Sequence, residues 1–152
     1  NDYRVEPAYY KILDSLRNRI TGVASGSAAL EIRTTSTDRP RVMQIELFLA
    51  AATASTFGLG RPAAIGITPT TPKTLLAEDP SDPVATVQTA LAWATGPTAP
   101  VDFLRRIALP ATIGTGIIWT FPRGLIIPVS SSLVIWNLAA NGVADINVII
   151  DE

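Results

Sequence analysis

The residues best able to do chemistry in this chain are carboxylates. Glu78, Asp79 and Asp82 fall within one stretch, EDPSDP. Hard cations such as Ca²⁺ prefer oxygen ligands, so three carboxylates on one loop can in principle hold one. Their spacing matches no EF-hand loop, and the two prolines account for a solvated turn without metal. The expectation is a surface loop, and no cofactor or metal site. Glu31, Glu46 and Asp102 form a second set on alternating segments. Two carboxyl groups facing each other across a cleft are what a carboxylate-only glycosidase needs. No spacing brings these three together, and polar residues on the wet face of a strand are the simpler account.

The chain has no histidine and no cysteine. That removes the commonest general base, thiolate chemistry, and serine–histidine or cysteine–histidine nucleophilic systems within one chain. Gly58-Leu59-Gly60 has part of a dinucleotide fingerprint but lacks the third glycine and a βαβ setting. Ser130-Ser131-Ser132 reads as a turn, since no strand–elbow–helix context surrounds it. The expectation is therefore that the chain is not an enzyme, with no catalytic residue assigned.

Three tryptophans offer an aromatic alternative. Trp119 and Trp136 sit in very apolar segments and read as core anchors. Trp93 is the ligand-facing candidate, and it carries the alternative of a carbohydrate- or host-receptor-binding module. Arg123, in the Phe121-Pro122-Arg123-Gly124 break, reads as outward-pointing and suited to a subunit interface.

The elements that must position these groups are short strands. In Arg41–Leu49, Met43, Ile45, Leu47 and Leu49 alternate with Val42, Gln44, Glu46 and Phe48. That is one core face and one wetter face. Ala28–Thr34, Thr86–Trp93, Asp102–Leu109 and Val143–Asp151 read as further strands. Phe57-Gly58-Leu59-Gly60-Arg61-Pro62 reads as a glycine-punctuated link. Gly114–Leu138 is the most apolar stretch and reads as three adjacent core strands, roughly 115–121, 124–129 and 132–138. Asn141-Gly142 is a turn dipeptide. Turn signals every eight to twelve residues fit an all-β antiparallel, jelly-roll-like sandwich of about eight strands.

Residues 1–25 are set apart as an N-terminal arm or helix, and 26–152 as the sandwich domain. Tyr9, Ile12, Leu13, Leu16 and Ile20 recur at helical spacing, with Pro7 suited to a first turn and Gly22 to a stop. A helix over 7–19 capping the sandwich and an extended arm packed on a neighbouring subunit both fit. In the second case Tyr9, Tyr10, Ile12 and Leu16 are interface residues.

Composition bounds the partners. Of 152 residues, 47% are apolar and only 16% charged, with a net charge of −1. Soluble domains usually carry about 25% charged residues. A low-charge exterior suits a subunit of an assembly. Scattered basic residues give no nucleic-acid footprint. The uncharged run Gly124–Ala144 is long enough to span a membrane, but prolines, serines, asparagines and glycine cut it into strand-sized pieces. No membrane partner is expected.

The run WTFPRGLIIPVSSSLVIWNLAANGVADINVIIDE resembles the C-terminal half of small β-sandwich virion proteins of tailed bacteriophages. GLGRPAAIGITPT and LLAEDPSDP upstream fit the same pattern, so the resemblance spans roughly residues 40–152. It is a pattern of strands and turns, with no catalytic signature to transfer. It implies a structural protein that self-associates, commonly as a homotrimer. Such a protein decorates or stabilises a capsid, or joins the tail, by binding major capsid or tail proteins. Its place would be the virion, assembled in the host cytoplasm.

Overall fold

A computed structural model describes residues 10–15, 17–21 and 24–152. In chain order the first strands are β1 (Tyr10–Ile12), β2 (Arg19–Ile20), β3 (Ser27–Arg33), β4 (Arg41–Leu49) and β5 (Ser55–Pro62). Short pieces follow: β6 (Ile67–Pro69), β7 (Lys73–Thr74), β8 (Leu76–Ala77), β9 (Gln88–Ala90) and β10 (Trp93–Thr95). Long strands close the chain: β11 (Pro100–Leu109), β12 (Gly116–Ile126), β13 (Ser132–Asn137) and β14 (Ala144–Asp151).

One sheet has the order β12-β4-β14-β1-β8, with β2 also on β14. The other has the order β11-β5-β13-β3-β9-β7, and β6 pairs with β10 in a separate ribbon. All pairings are antiparallel. Eight principal strands remain when β2 and the short pieces β6–β10 are set aside. The first, eighth, third and sixth then lie side by side, and so do the second, seventh, fourth and fifth. That is the double Greek key of a jelly roll. The fold is an all-β sandwich.

The core lies between the sheets. Ile45, Leu47, Ile146, Val148 and Ile150 from one side meet Leu30, Ile32, Phe57, Leu59 and Ile135 from the other in a single buried cluster. Along β14 the alternation is complete, with Ala144, Ile146, Val148 and Ile150 buried and the residues between them half-buried. Each such aliphatic side chain contributes about 1.5–3 kcal/mol when fully buried. Trp119 and Trp136 are both buried, Trp119 within the core cluster and Trp136 outside it, so only Trp119 is a core anchor of the kind its apolar setting predicts.

In β4 the phase differs from simple alternation. Val42 is buried and Met43 only half-buried. Ile149 pairs with Gln44 and Ile150 with Val42, so Met43 is the extra residue of a bulge and the inward set restarts at Val42.

Three further expectations change. No helix covers the described part of 7–19. Tyr10–Ile12 pairs with Ile149–Asp151, and Arg19–Ile20 with Ala144–Asp145. The strand backbone of this segment pairs with β14 and β8, and the Arg17 N–H donates to the Asp14 carbonyl at 3.0 Å in a turn between β1 and β2. Pro7 and Gly22, the expected helix signals, lie outside the described residues.

The link 57–62 is part of a central strand, β5. Its glycines are there because β11 side chains lie directly over them. A Cβ on Gly58 would stand 2.5 Å from Phe103 Cδ1, and one on Gly60 2.7 Å from Pro100 Cβ.

The stretch 114–138 forms two strands in different sheets, rather than three adjacent ones. β12 runs through Pro122-Arg123-Gly124, because an edge strand tolerates a residue without an N–H. The ladder is irregular between Thr120 and Leu125, and Gly124 takes a φ of 73° there. β13 lies in the middle of the second sheet, between β5 and β3. Asn141-Gly142 then belongs to the crossing from β13 to β14, which are in different sheets.

Candidate functional site

Glu31 is fully buried, against the expectation of a solvated strand face. It lies on the outer side of β3, and the β6–β10 ribbon lies over it. Each carboxylate oxygen accepts two hydrogen bonds. Oε1 takes the Arg33 guanidinium at 2.5 Å and the Trp93 indole N–H at 2.9 Å. Oε2 takes the Ser132 hydroxyl at 2.8 Å and the Gly66 backbone N–H at 3.0 Å. Arg33 also donates to the Gly66 carbonyl at 2.7 Å.

Two short-range facts of sequence build this cluster. Glu31 and Arg33 are two residues apart on one strand and so share a face. Ser132 pairs across the ladder with Arg33. Gly66 is required because a Cβ there would lie 2.3 Å from Trp93 Cδ1. A carboxylate offers about four lone-pair positions, and all four are taken. Glu31 has no capacity left for a substrate proton or a metal. It acts as a clamp that fastens the ribbon to the sheet.

The other carboxylates do not join it. Glu46 lies on the outer face of the opposite sheet, where Gln44 donates to Oε1 at 2.9 Å and Asn147 to Oε2 at 3.1 Å. Asp102 is exposed on β11. Asp79 closes a tight turn, its Oδ1 accepting the Ser81 N–H at 2.9 Å and the Ser81 hydroxyl at 2.7 Å. Those two bonds, the backbone one first, hold its carboxyl below the usual carboxylate range. Among the described residues no three acidic side chains are grouped to hold a metal ion. No described helix is long and apolar enough to cross a membrane.

Trp93 is half-buried, and its N–H is committed to Glu31. Ser132 belongs to the clamp, while Ser130 and Ser131 make the turn before β13. Tyr10 is exposed on β1, and its carbonyl accepts the Glu78 N–H at 3.0 Å. Ile12 is half-buried between Ile149 and Leu76. Arg123 is exposed on β12, and its carbonyl accepts a bond from Arg41 at 3.0 Å. Tyr9 and Leu16 lie outside the described residues.

Most of the exposed large apolar side chains lie at two sides of the sandwich, with Ile67 on the ribbon and Val129 before β13 elsewhere. Among the described residues β11 and β12 are edge strands of the two sheets, joined by residues 110–115. Arg105 on β11 lies 5.3 Å from the centre of the Phe121 ring on β12, so the two edges form one side. Val101, Leu104, Ile113 and Ile118 are exposed there. The opposite side is made by β7 and β8, with Leu75 between them turned into the core. A groove of about 400 Å³ runs beside β8, with Leu76, Pro80, Asp82 and Val84 in its walls. Sequence patterning finds the strands but not these sides, because edge position depends on strand order.

Comparison with protein-family models, with curated proteins and with solved structures finds no match to the chain.

Proposed function

We propose that this chain is a non-enzymatic structural subunit of a virion, which self-associates as a homotrimer and stabilises or decorates a phage capsid, or joins its tail. The observation that carries this reading is the pair of open, apolar sides on a jelly-roll sandwich of low charge. Large apolar side chains left in water at sheet edges favour association with other protein. The resemblance of residues 40–152 to phage virion proteins points the same way. The distribution of carboxylates also favours a binding role over catalysis. Glu31 is saturated with hydrogen bonds, and Glu46 lies on the other side of the sandwich.

Light scattering after size exclusion, together with co-sedimentation on purified phage particles, tests the proposal. The expected result is a defined oligomer at micromolar concentration that pellets with particles. A stable monomer that stays in the supernatant would overturn it.

A further inference from the structure

We infer that the two open sides are the two halves of one head-to-tail contact, the β11–β12 side of one copy seating on the β7–β8 side of the next. This rests on the self-association proposed above and assigns the surfaces that carry it.

The two sides differ in charge. On the β11–β12 side the exposed charged residues include Arg105, Arg106 and Arg123, against Asp102. Beside β8 the groove and the turn that follows carry Glu78, Asp79 and Asp82. Lys73 on β7 lies 3.6 Å from the Asp14 carboxylate and is partly offset by it. Both sides also present apolar side chains. Val101 is 86% exposed on one, and Val84 is 82% exposed on the other.

A two-fold contact puts the same patch on both partners. Two β11–β12 sides meeting in this way would set arginines against arginines, and two β8 sides would set carboxylates against carboxylates. A head-to-tail contact instead joins basic to acidic and apolar to apolar. Repeated around an axis, it closes a ring. The contact is between side chains rather than a continued ladder. β11 is irregular between Pro100 and Arg105, and Pro100 and Pro122 remove backbone donors from the two edges. A standard interface buries about 800 Å² per partner, about a tenth of the 7878 Å² surface of this chain.

Charge reversal tests it. One variant carries Arg105→Glu with Arg106→Glu, and a second carries Glu78→Lys with Asp82→Lys. Each makes its two sides alike in sign. Light scattering is expected to show each variant alone shifted toward monomer, with at least a roughly hundredfold weaker association, since facing like charges costs several kcal/mol. An equimolar mixture is expected to regain association between unlike variants, because each then meets its opposite. A ring of three cannot alternate two variants, so the expected product is a heterodimer or an even-membered assembly rather than the trimer. One chain carrying all four changes is also expected to assemble.

If the unmodified chain is a monomer at 100 µM or so, self-association fails and this inference fails with it. If the unmodified chain assembles and either reversal leaves assembly intact, or the two variants do not associate with each other when mixed, the head-to-tail contact is wrong while self-association stands. Val101→Ser and Val84→Ser probe the same two sides if a reversal variant does not fold. Each is expected to weaken association, and unchanged association in either would overturn the assignment.

Discussion

Trp93 donates its indole N–H to Glu31 at 2.9 Å, joining the ribbon to a strand that lies 62 residues earlier in the chain. The bond is one of four that saturate a fully buried carboxylate. Removing one member of such a buried pair leaves the other desolvated and unpaired, at a cost of about 3–5 kcal/mol. Glu31→Ala is therefore expected to destabilise the fold by that amount in urea denaturation. Glu31→Gln keeps the volume but turns an amide donor toward other donors, and is expected to cost less, about 1–3 kcal/mol. In both variants Trp93 emission should shift to the red, a change absent when Trp93→Phe is also present. A Glu31→Ala protein as stable as the parent would sink the clamp.

Gly58 and Phe103 make a second tight pair. A Cβ on Gly58 would stand 2.5 Å from the Phe103 ring, which cannot retreat far while β11 is paired to β5. Overpacking of this kind costs about 1–3 kcal/mol. Gly58→Ala is expected to lower the melting temperature accordingly. Phe103→Ala in the same chain should recover part of the loss, with a coupling of more than about 0.5 kcal/mol. Additive effects in a double-mutant cycle would mean that the ring is not what excludes the side chain.

The same two pairs show what the sequence made legible. Alternation identified β3, β4, β11 and β14, because one face of each strand is apolar and the period of two is visible locally. It misplaced Glu31, because a polar residue on an outward face looks solvated until the ribbon that covers it is known. That ribbon is held by contacts 35 and 62 residues distant from Glu31. It read β5 as a link, since Gly58 and Gly60 suit a turn when nothing shows Phe103 and Pro100 above them. Of the two readings left open for 7–19, the helix does not hold in its described residues, for a related reason. Apolar spacing there fits a helix, yet β14 offers a partner along its edge that local spacing cannot register.

Thr71 sits at a φ of 47°, in the left-handed region. A β-branched residue is strained there, while asparagine and glycine are tolerated. The position is exposed, so no packing is lost on substitution. Thr71→Asn is expected to raise stability by about 0.5–1 kcal/mol, on the scale of left-handed strain for an L-residue. The same change at neighbouring Thr70 should give no such gain. Equal melting temperatures for Thr71→Asn and the parent would show that the backbone relaxes without cost.

Asp79 provides a pH-dependent reporter. Its carboxyl is held below the ordinary range, first by the Ser81 backbone N–H and then by the Ser81 hydroxyl, both on Oδ1. A carboxyl lowered in the folded state favours folding above its unfolded value of about 3.9. That contribution disappears as pH falls through the lowered folded value. Ser81→Ala removes the hydroxyl and leaves the N–H. The Asp79 titration followed by NMR should therefore move up toward the ordinary carboxylate value without reaching it. The acid limb of the stability profile should move up in pH with it. Asp79→Asn removes this contribution altogether, and its acid limb should lack the same step. A titration of Asp79 unchanged by Ser81→Ala would assign the whole effect to the backbone.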